Sequence, residues 1–250
     1  MKKKVFPSNI LQFIIFIILC LISIALVVKF DISFLKEYSE SQRLALVTFL
    51  FFFFPIVIFY LANFGKKLYT FSLKSVNYRL FFIGLSFVIS LIIVYHSSYH
   101  IMSNPTRSEN PYEYNNLYFL FATCFIGPIL EEIFFRGIIL RSLIQTYSTR
   151  LSIVISSILF ILVHTPSQYP LALLMGLFLG YVFFISKYNI ILVIIFHVIF
   201  NNFSILYSYL LFNFSNYNYL LLIISIIIFF LSIYQLFKYV KNNKNLYYGN

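Results

Sequence analysis

Long apolar runs follow one another along almost the whole of the 250-residue chain. A helix needs about 20 apolar residues to cross a bilayer, and hydrophobic patterning gives eight runs of roughly this kind. No polar stretch between them is long enough for a second domain. The sequence therefore predicts an all-α, polytopic membrane helical bundle of about eight transmembrane helices, with residues 1–250 as a single integral membrane domain. The runs cover residues 9–28, 45–64, 80–97, 116–135, 151–166, 169–186, 189–212 and 218–237.

Charge in this chain is sparse and unevenly placed. Charged residues make up 10% of it, against about 25% in ordinary soluble domains. Most of the basic residues fall on one side of the predicted bundle, as the positive-inside rule requires. We therefore interpret the net charge of +11 as topology and contact with membrane lipids, not nucleic-acid binding. The prediction is an N-in, C-in, multi-pass protein of the cell membrane. The predicted cytoplasmic segments hold thirteen of the eighteen basic residues: Lys2, Lys3, Lys4, Lys66, Lys67, Lys74, Arg79, Arg141, Arg150, Lys187, Lys238, Lys241 and Lys244.

Two adjacent glutamates interrupt the fourth run, in ATCFIGPILEEIFFRGIIL. A charged side chain inside a bilayer costs about 2.5–3.5 kcal/mol on insertion scales, so intramembrane carboxylates indicate function. Glu132 and Arg136 are four residues apart, a spacing that pairs side chains on one helix face. Glu131 points about 100° away and has no local counter-charge, which suits a general base or acid. The alternative is that both glutamates end a helix at the cytoplasmic interface.

Two histidines and an asparagine occupy later apolar runs. His164 lies four residues after Phe160, so the two share a helix face, although a lone histidine in such a run is more often a satisfied core residue. His197 and Asn201 have the same spacing. They could stabilise a developing oxyanion or act as hydrogen-bonding glue between helices. Asn202 points elsewhere and is interpreted as such glue.

Taken together, these elements resemble a known family. The chain reads EEIFFR at 131–136, FILVH at 160–164 and HVIFN at 197–201. These are E-E-x-x-x-R, F-x-x-x-H and H-x-x-x-N motifs on successive membrane segments, and Gly137 after the arginine also fits. The chain resembles the CPBP family, the CAAX proteases and bacteriocin-processing enzymes, also called the Abi family. The resemblance covers about residues 115–205, which it implies are the catalytic core.

The resemblance implies an intramembrane endopeptidase that hydrolyses a peptide bond of a membrane-associated peptide or protein. Carried over residue by residue, Glu131 and His164 orient and deprotonate the attacking water. His197 and Asn201 stabilise the oxyanion. The supporting residues that hold the site together are Glu132, Arg136 and Phe160.

A role for metal is left open by the resemblance, because the family has been called both glutamate-type and metal-dependent. Glu131, His164 and His197 could ligate Zn²⁺ and leave one position for water. The sequence has no familiar zinc-binding spacing, so the interpretation without a cofactor is favoured. A second histidine pair, His96 and His100, lacks the glutamate of an H-E-x-x-H motif and is typical of a membrane interface.

Two other functions compete with the protease. One is a non-catalytic bacteriocin-immunity or regulatory membrane protein that binds a peptide or a partner. The other is an ion- or proton-coupled transporter that uses Glu131 and His164 as a relay, although the chain shows no internal repeat. Leader-containing peptides, pheromone precursors and membrane-anchored surface proteins all fit as substrates, and nothing in the sequence chooses among them.

The predicted boundaries place the site residues at different depths. Glu131 lies near the inner end or middle of the fourth helix, and His164 near the outer end of the fifth. Groups that act on one bond must share a depth. The fifth helix therefore begins later or runs beyond Pro166, or the fourth continues past Arg141. The longest outside loop, 98–115, is predicted to be a mobile lid or a substrate entrance.

Glycine and proline give two further expectations about helices. Gly176 and Gly180 form a G-x-x-x-G pattern, which predicts close packing of the sixth helix. Pro128, preceded by Gly127, is expected to bend the fourth helix just before the glutamates.

Overall fold

The computed structural model describes residues 40–64, 77–103, 117–214 and 219–243, together with residues 6, 7, 9, 11–19, 22 and 25. These residues form helices and turns, with no β-strand among them. The predicted all-α fold is confirmed. In chain order, the helices are α1 (residues 11–19), α2 (Glu40–Ala62), α3 (Tyr78–Ser103), α4 (Leu117–Ile144), α5 (Thr149–Ile161), α6 (Tyr169–Ile185), α7 (Ile190–Phe214) and α8 (Tyr219–Asn242).

Five of the described helices are long and apolar enough to cross a membrane. They are α3, α4, α7, α8, and α6 together with the 3₁₀ turn Pro166–Gln168 that precedes it. The apolar part of α2, Leu46–Ala62, and the whole of α5 are shorter. The total of eight spans and the N-in, C-in orientation stay predictions. Most of the loop predicted to be a lid, from residue 104 onward, lies outside the described residues.

The fourth helix is longer than the apolar run that predicted it. The run ended at residue 135, whereas α4 extends to Ile144 and so continues past Arg141. The apolar run ends at residue 135 because the charged Arg136 lowers the hydropathy that defines the run. In the structure Arg136 is paired inside the helix, and Arg141 lies over the Tyr188 ring, 5.6 Å from its centroid. Both charges are therefore accommodated without ending the helix.

The fifth helix is shorter than its run. It ends at Ile161, and His164 lies in the turn that follows. Thr165 caps a new 3₁₀ turn, and its backbone N–H donates to the Gln168 side chain at 3.2 Å. Pro166 is the first residue of that turn, where a missing N–H costs nothing. His164 therefore occupies a connection between helices, not the outer end of a span.

The fourth helix changes its winding around the glutamates. Two π-helical segments, Ala122–Ile126 and Ile133–Leu140, flank the α-helical segment Gly127–Glu132. In the first, the Gly127 N–H bonds to the Ala122 carbonyl, five residues back. π-Helical turns are rare in proteins, and those that occur are often found at functional sites. Both glutamates lie between two of them.

The packing of α4 and α7 brings the polar residues together. α4 packs against α7, α5 and α2, while α3 packs against α7 and α8. The contact between α3 and α7 is aromatic, because Phe196 stacks on Phe81 with ring centroids 5.6 Å apart and covers Gly84. α3 therefore holds α7 on one side, and another side of α7 faces α4.

The G-x-x-x-G pattern of α6 packs closely against α5, as predicted. A Cβ atom at Gly176 would lie 3.0 Å from Ser157 Cβ, and one at Gly180 would lie 3.1 Å from Ile153 Cγ2. These separations are tighter than ordinary side-chain contacts. The glycines therefore set the distance between α5 and α6.

Gly176→Ala is expected to lower the unfolding temperature of the detergent-solubilised protein. The new methyl group would also lie 3.2 Å from Ser157 Cα, and overpacking of a fitted site costs about 1–3 kcal/mol. Thermal unfolding measures the change. Ser86→Ala, on the exposed side of α3, is the control and should leave the temperature unchanged. A Gly176→Ala variant as stable as wild type would contradict the close packing.

Candidate active site

Glu132 and Arg136 form the predicted ion pair, and they form it in the core. Arg136 Nη1 donates to Glu132 Oε1 at 2.8 Å, and the two side chains are 1% and 0% exposed. Arg136 Nη2 donates to the Gly176 carbonyl at 3.2 Å. The guanidinium also lies over the Phe160 ring, 4.5 Å from its centroid. Because buried charges are stable only when paired and hydrogen-bonded, these contacts hold the pair in one arrangement.

His197 joins the two glutamates across α4 and α7. Its Nδ1 atom lies 2.7 Å from Glu132 Oε1, and its Nε2 atom lies 3.9 Å from Glu131 Oε2. Since a carboxylate accepts, the Nδ1–H of His197 is the donor to Glu132. Sequence reasoning paired Glu132 with Arg136 alone and missed this contact. No local spacing could have found it, because 65 positions separate the two residues.

Glu131 is much less constrained than Glu132. Its side chain is 17% exposed, against 0% for Glu132. Its Oε2 atom has no hydrogen bond within the described residues. A Cβ atom at Gly127 would lie 3.7 Å from its Oε1 atom, so the missing side chain leaves space beside the carboxylate. Glu132 Oε2 also has no hydrogen bond there, so the two glutamates differ in exposure and in the Oε1 atom of Glu132, which contacts both Arg136 and His197.

Glu131, Glu132, Arg136 and His197 form one polar cluster. His164 approaches this cluster from the turn after α5. Its Nδ1 atom lies 2.8 Å from the Phe160 carbonyl, which fixes the ring. Burial lowers the pKa of His164, and the nearby Glu131 carboxylate acts in the opposite direction. His164 and His197 both contact the Phe160 ring, with centroids 4.5 Å and 5.8 Å from it. The longer α4 and the shorter α5 therefore allow residues of both helices to meet, as the prediction required.

Phe160 is the aromatic centre of the cluster. It is 1% exposed and packs in an apolar wall behind the polar groups. Contacts to rings hold the polar side chains in fixed orientations. The Phe160 ring centroid lies 4.5 Å from that of His164, 5.8 Å from that of His197 and 5.1 Å from that of Phe135.

Both asparagines of α7 donate to backbone carbonyls of α4. Asn201 Nδ2 donates to the Thr123 carbonyl at 2.8 Å. Asn202 Nδ2 donates to the Cys124 carbonyl at 3.2 Å and to the Val198 carbonyl at 2.8 Å. The interpretation of Asn202 as glue between helices is confirmed. Asn201 forms the same kind of contact, and its amide nitrogen carries a second N–H that this bond does not use.

The predicted zinc ligands do not form a metal centre as they are placed. Glu131, His164 and His197 are the three side chains concerned. Across the described parts of the chain, no group of three His, Cys, Asp or Glu side chains is arranged so that it could hold a metal ion. A role for zinc at these residues stays a prediction.

The second histidine pair lies in α3, which extends to Ser103 and so beyond the predicted run. His100 is buried, at 7% exposure. It lies in the last turn of α3. The interpretation of this pair as a feature of the membrane interface stays a prediction.

An apolar groove of about 500 Å³ lies next to the asparagine contacts, between α4 and α7. Much of its wall consists of exposed apolar side chains, so it opens on the apolar surface of the bundle. Cys124 and Asn202 also line it, each one residue from the Thr123–Asn201 contact. The remaining lining residues are Leu117, Leu120, Phe121, Phe125, Ile205, Leu206 and Tyr209.

Comparison with known families identifies the part of the chain that holds this site. Residues 113–203, roughly a third of the chain, match a family model described as Type II CAAX prenyl endopeptidase Rce1-like. Residues 113–203 are similar to this family. The match confirms the resemblance to the CAAX proteases that the three motifs predicted. The Rce1-like segment includes α5, α6 and every residue of the cluster.

The Rce1-like match supports, in general terms, a CAAX-type intramembrane endopeptidase that acts on a peptide or protein. Together with the five long apolar helices it supports a membrane protein. No curated protein and no solved structure matches the chain.

Proposed function

We propose that the chain is an intramembrane endopeptidase that hydrolyses a peptide bond of a membrane-associated peptide or protein through a glutamate-activated water. The observation that supports the proposal is that Glu131 is less constrained than Glu132. Glu131 is 17% exposed and lies 3.9 Å from His197 Nε2, whereas Glu132 is fully buried and its Oε1 atom contacts Arg136 and His197. An unlocked carboxylate in a mostly buried cluster is suited to take a proton from water.

Glu131 is the proposed general base, and His164 orients the same water. The water gives a proton to Glu131 while its oxygen attacks the carbonyl carbon of the scissile bond. A C–O bond forms, and the carbonyl oxygen becomes an oxyanion. Glu131 then gives the proton to the amide nitrogen, the C–N bond breaks, and a carboxylic acid and an amine leave.

His197 and Asn201 are the proposed donors to the oxyanion. Because the Nδ1–H of His197 donates to Glu132, donation from Nε2 requires the imidazolium form. Asn201 contributes the amide N–H that its bond to Thr123 leaves unused. A donor of this kind contributes roughly 3 kcal/mol to catalysis.

The remaining cluster residues position the reacting groups and do not touch the substrate. Glu132 fixes the tautomer and orientation of His197 through their 2.7 Å bond. Arg136 balances the charge of Glu132, and Phe160 packs against both histidines. We place the protein in the cell membrane, in contact with lipids. Leader-containing peptides and membrane-anchored surface proteins are the proposed substrates.

The test compares peptide termini from host membranes that contain either the wild-type chain or Glu131→Gln at matched levels. Mass spectrometry of membrane and medium identifies any terminus that depends on the wild-type chain. Such a terminus, absent with Glu131→Gln, supports the protease and identifies its substrate. Indistinguishable profiles, with the wild-type phenotype retained by the variant, would overturn it in favour of a non-catalytic immunity or regulatory protein.

The same assay tests the absence of a metal from the proposed mechanism. Product formation is expected to continue after treatment with a zinc chelator, because Glu131 itself takes the proton from water. The control adds the chelator already saturated with Zn²⁺. Loss of product with chelator, and its return on addition of Zn²⁺, would contradict the metal-free mechanism while leaving the peptidase assignment intact.

The rate is expected to persist as the pH falls through the ordinary histidine range, and to drop only below it. Burial lowers the pKa of His164, and a lowered histidine pKa extends the neutral form to more acidic pH. The neutral ring that orients the water therefore persists below about pH 6.5. A pH–rate profile checks this, with His164→Asn as the variant that lacks this titration. An acid limb at or above about pH 6.5 would contradict the role of His164.

A further inference from the structure

A proline lies where α4 changes from π-helix to α-helix. Pro128 is in the first turn of the α-helical segment Gly127–Glu132, and proline has no backbone N–H. In an α-helix that N–H would bond to the Cys124 carbonyl, four residues back. In a π-helix it would bond to the Thr123 carbonyl, five residues back. Pro128 therefore donates to neither carbonyl.

Side-chain amides from α7 donate to these same two carbonyls. Asn201 bonds to Thr123 at 2.8 Å, and Asn202 bonds to Cys124 at 3.2 Å. Inside a membrane an unsatisfied backbone carbonyl is costly, so a helix opened by proline needs donors from a neighbour. The two adjacent asparagines supply a donor for each carbonyl that Pro128 cannot serve.

The opened turn also borders the space beside the proposed base. A Cβ atom at Gly127 would lie 3.2 Å from the Ala122 carbonyl oxygen and 3.7 Å from Glu131 Oε1, with no atom of another helix nearer than 4 Å among the described residues. By contrast, a Cβ atom at Gly176 would meet the neighbouring helix at 3.0 Å. Gly127 is buried, but no described residue of another helix fills the position that its Cβ atom would take.

We infer that Pro128 is a positioning residue for the proposed oxyanion donor Asn201. The inference rests on the proposed function, because it takes Asn201 as the donor. By withholding its N–H, Pro128 keeps the Thr123 carbonyl available to anchor one N–H of the Asn201 amide. The other N–H of that amide then serves the oxyanion. Pro128 itself touches no reacting atom.

The anchoring is tested first without any substrate, by the unfolding temperatures of Pro128→Ala, Asn201→Ala and the double variant. Alanine at this position restores a backbone N–H that can serve the carbonyl. Asn201→Ala is expected to lower the unfolding temperature of the wild-type protein, and to lower it clearly less in the Pro128→Ala background. Equal losses in the two backgrounds would overturn the anchoring. Pro55→Ala, which removes a proline from α2, is the matched background and should leave the loss unchanged.

The effect on catalysis is then measured on host-membrane peptides, by the rate at which wild-type termini appear. Removing an oxyanion donor lowers rates by about 10²–10³-fold, and misplacing one by an ångström costs up to about 10²-fold. Pro128→Ala is expected to be about 10- to 100-fold slower than wild type without loss of unfolding temperature. Asn201→Ala, introduced into Pro128→Ala, should slow the reaction by less than about a further tenfold. Pro55→Ala should cleave at the wild-type rate.

Glu131→Gln separates failure of this inference from failure of the proposed function. If Glu131→Gln forms no product and Pro128→Ala forms it at the wild-type rate, the positioning role is overturned and the protease stands. Additive losses from Pro128→Ala and Asn201→Ala would overturn the role in the same way. If Glu131→Gln forms product at the wild-type rate, the proposed function fails, and the oxyanion role of Asn201 fails with it.

Discussion

Glu131→Gln is expected to slow product formation by about 10²–10⁴-fold, the usual contribution of a general base, while the protein folds and inserts normally. Glutamine has the same shape as glutamate but cannot take a proton from water. Its effect on folding should be small, because the Oε2 atom of Glu131 has no hydrogen bond to lose within the described residues. The rate of terminus formation and the unfolding temperature are both measured.

A neighbouring variant provides the matched control. Glu132→Gln makes the same chemical change one residue away, but it removes the negative charge that Arg136 and His197 both contact. It is expected to lower the unfolding temperature as well as the rate. A Glu131→Gln variant within tenfold of the wild-type rate would contradict the assignment of the base. If Glu131→Gln lost as much stability as Glu132→Gln, its role would be structural.

Arg136→Met is expected to destabilise the protein by about 3–5 kcal/mol, the typical cost of removing one partner from a buried ion pair. The methionine fills much of the volume beside Phe160 but leaves the charge of Glu132 without its guanidinium. With Glu132 fully buried, water cannot compensate. Thermal unfolding in detergent and the amount of protein accumulated in the membrane measure the loss.

The double variant Arg136→Met/Glu132→Leu separates charge from packing. Replacing both members of a buried pair by apolar groups is often neutral or stabilising, so the double variant should regain much of the lost stability. It should stay inactive, because His197 loses the acceptor for its Nδ1–H. A single variant as stable as wild type, or a double variant less stable than the single one, would contradict this account of the core.

Local spacing predicted those parts of the site that lie on one helix. The four-residue interval between Glu132 and Arg136 predicted their ion pair, and the rotation between neighbouring residues predicted that Glu131 would stand apart. Both depend only on the geometry of an isolated helix. The close packing at Gly176 was likewise predictable, because a small residue at helical spacing has few other uses inside a membrane.

Contacts between helices could not be predicted in this way. The bond from His197 to Glu132 depends on how α7 packs against α4. The anchoring of Asn201 depends on a π-helical register that no residue type specifies uniquely. The end of α4 was missed because hydropathy counts Arg136 as exposed charge, whereas a partner one turn away neutralises it. In each case the outcome depends on which side chains become neighbours in the folded structure.

Arg136 and His197, the two residues that contact Glu132, are added to the growing chain at different times. Arg136 follows Glu132 by four residues, whereas His197 follows it by 65. At about 5–20 residues per second, the second partner emerges roughly 3–13 s after the glutamate. During this interval α4, the least apolar of the five long helices, must enter the bilayer with two carboxylates and two arginines. The spacing between the motifs therefore sets an order of assembly, in which α4 settles fully only when α7 has been inserted.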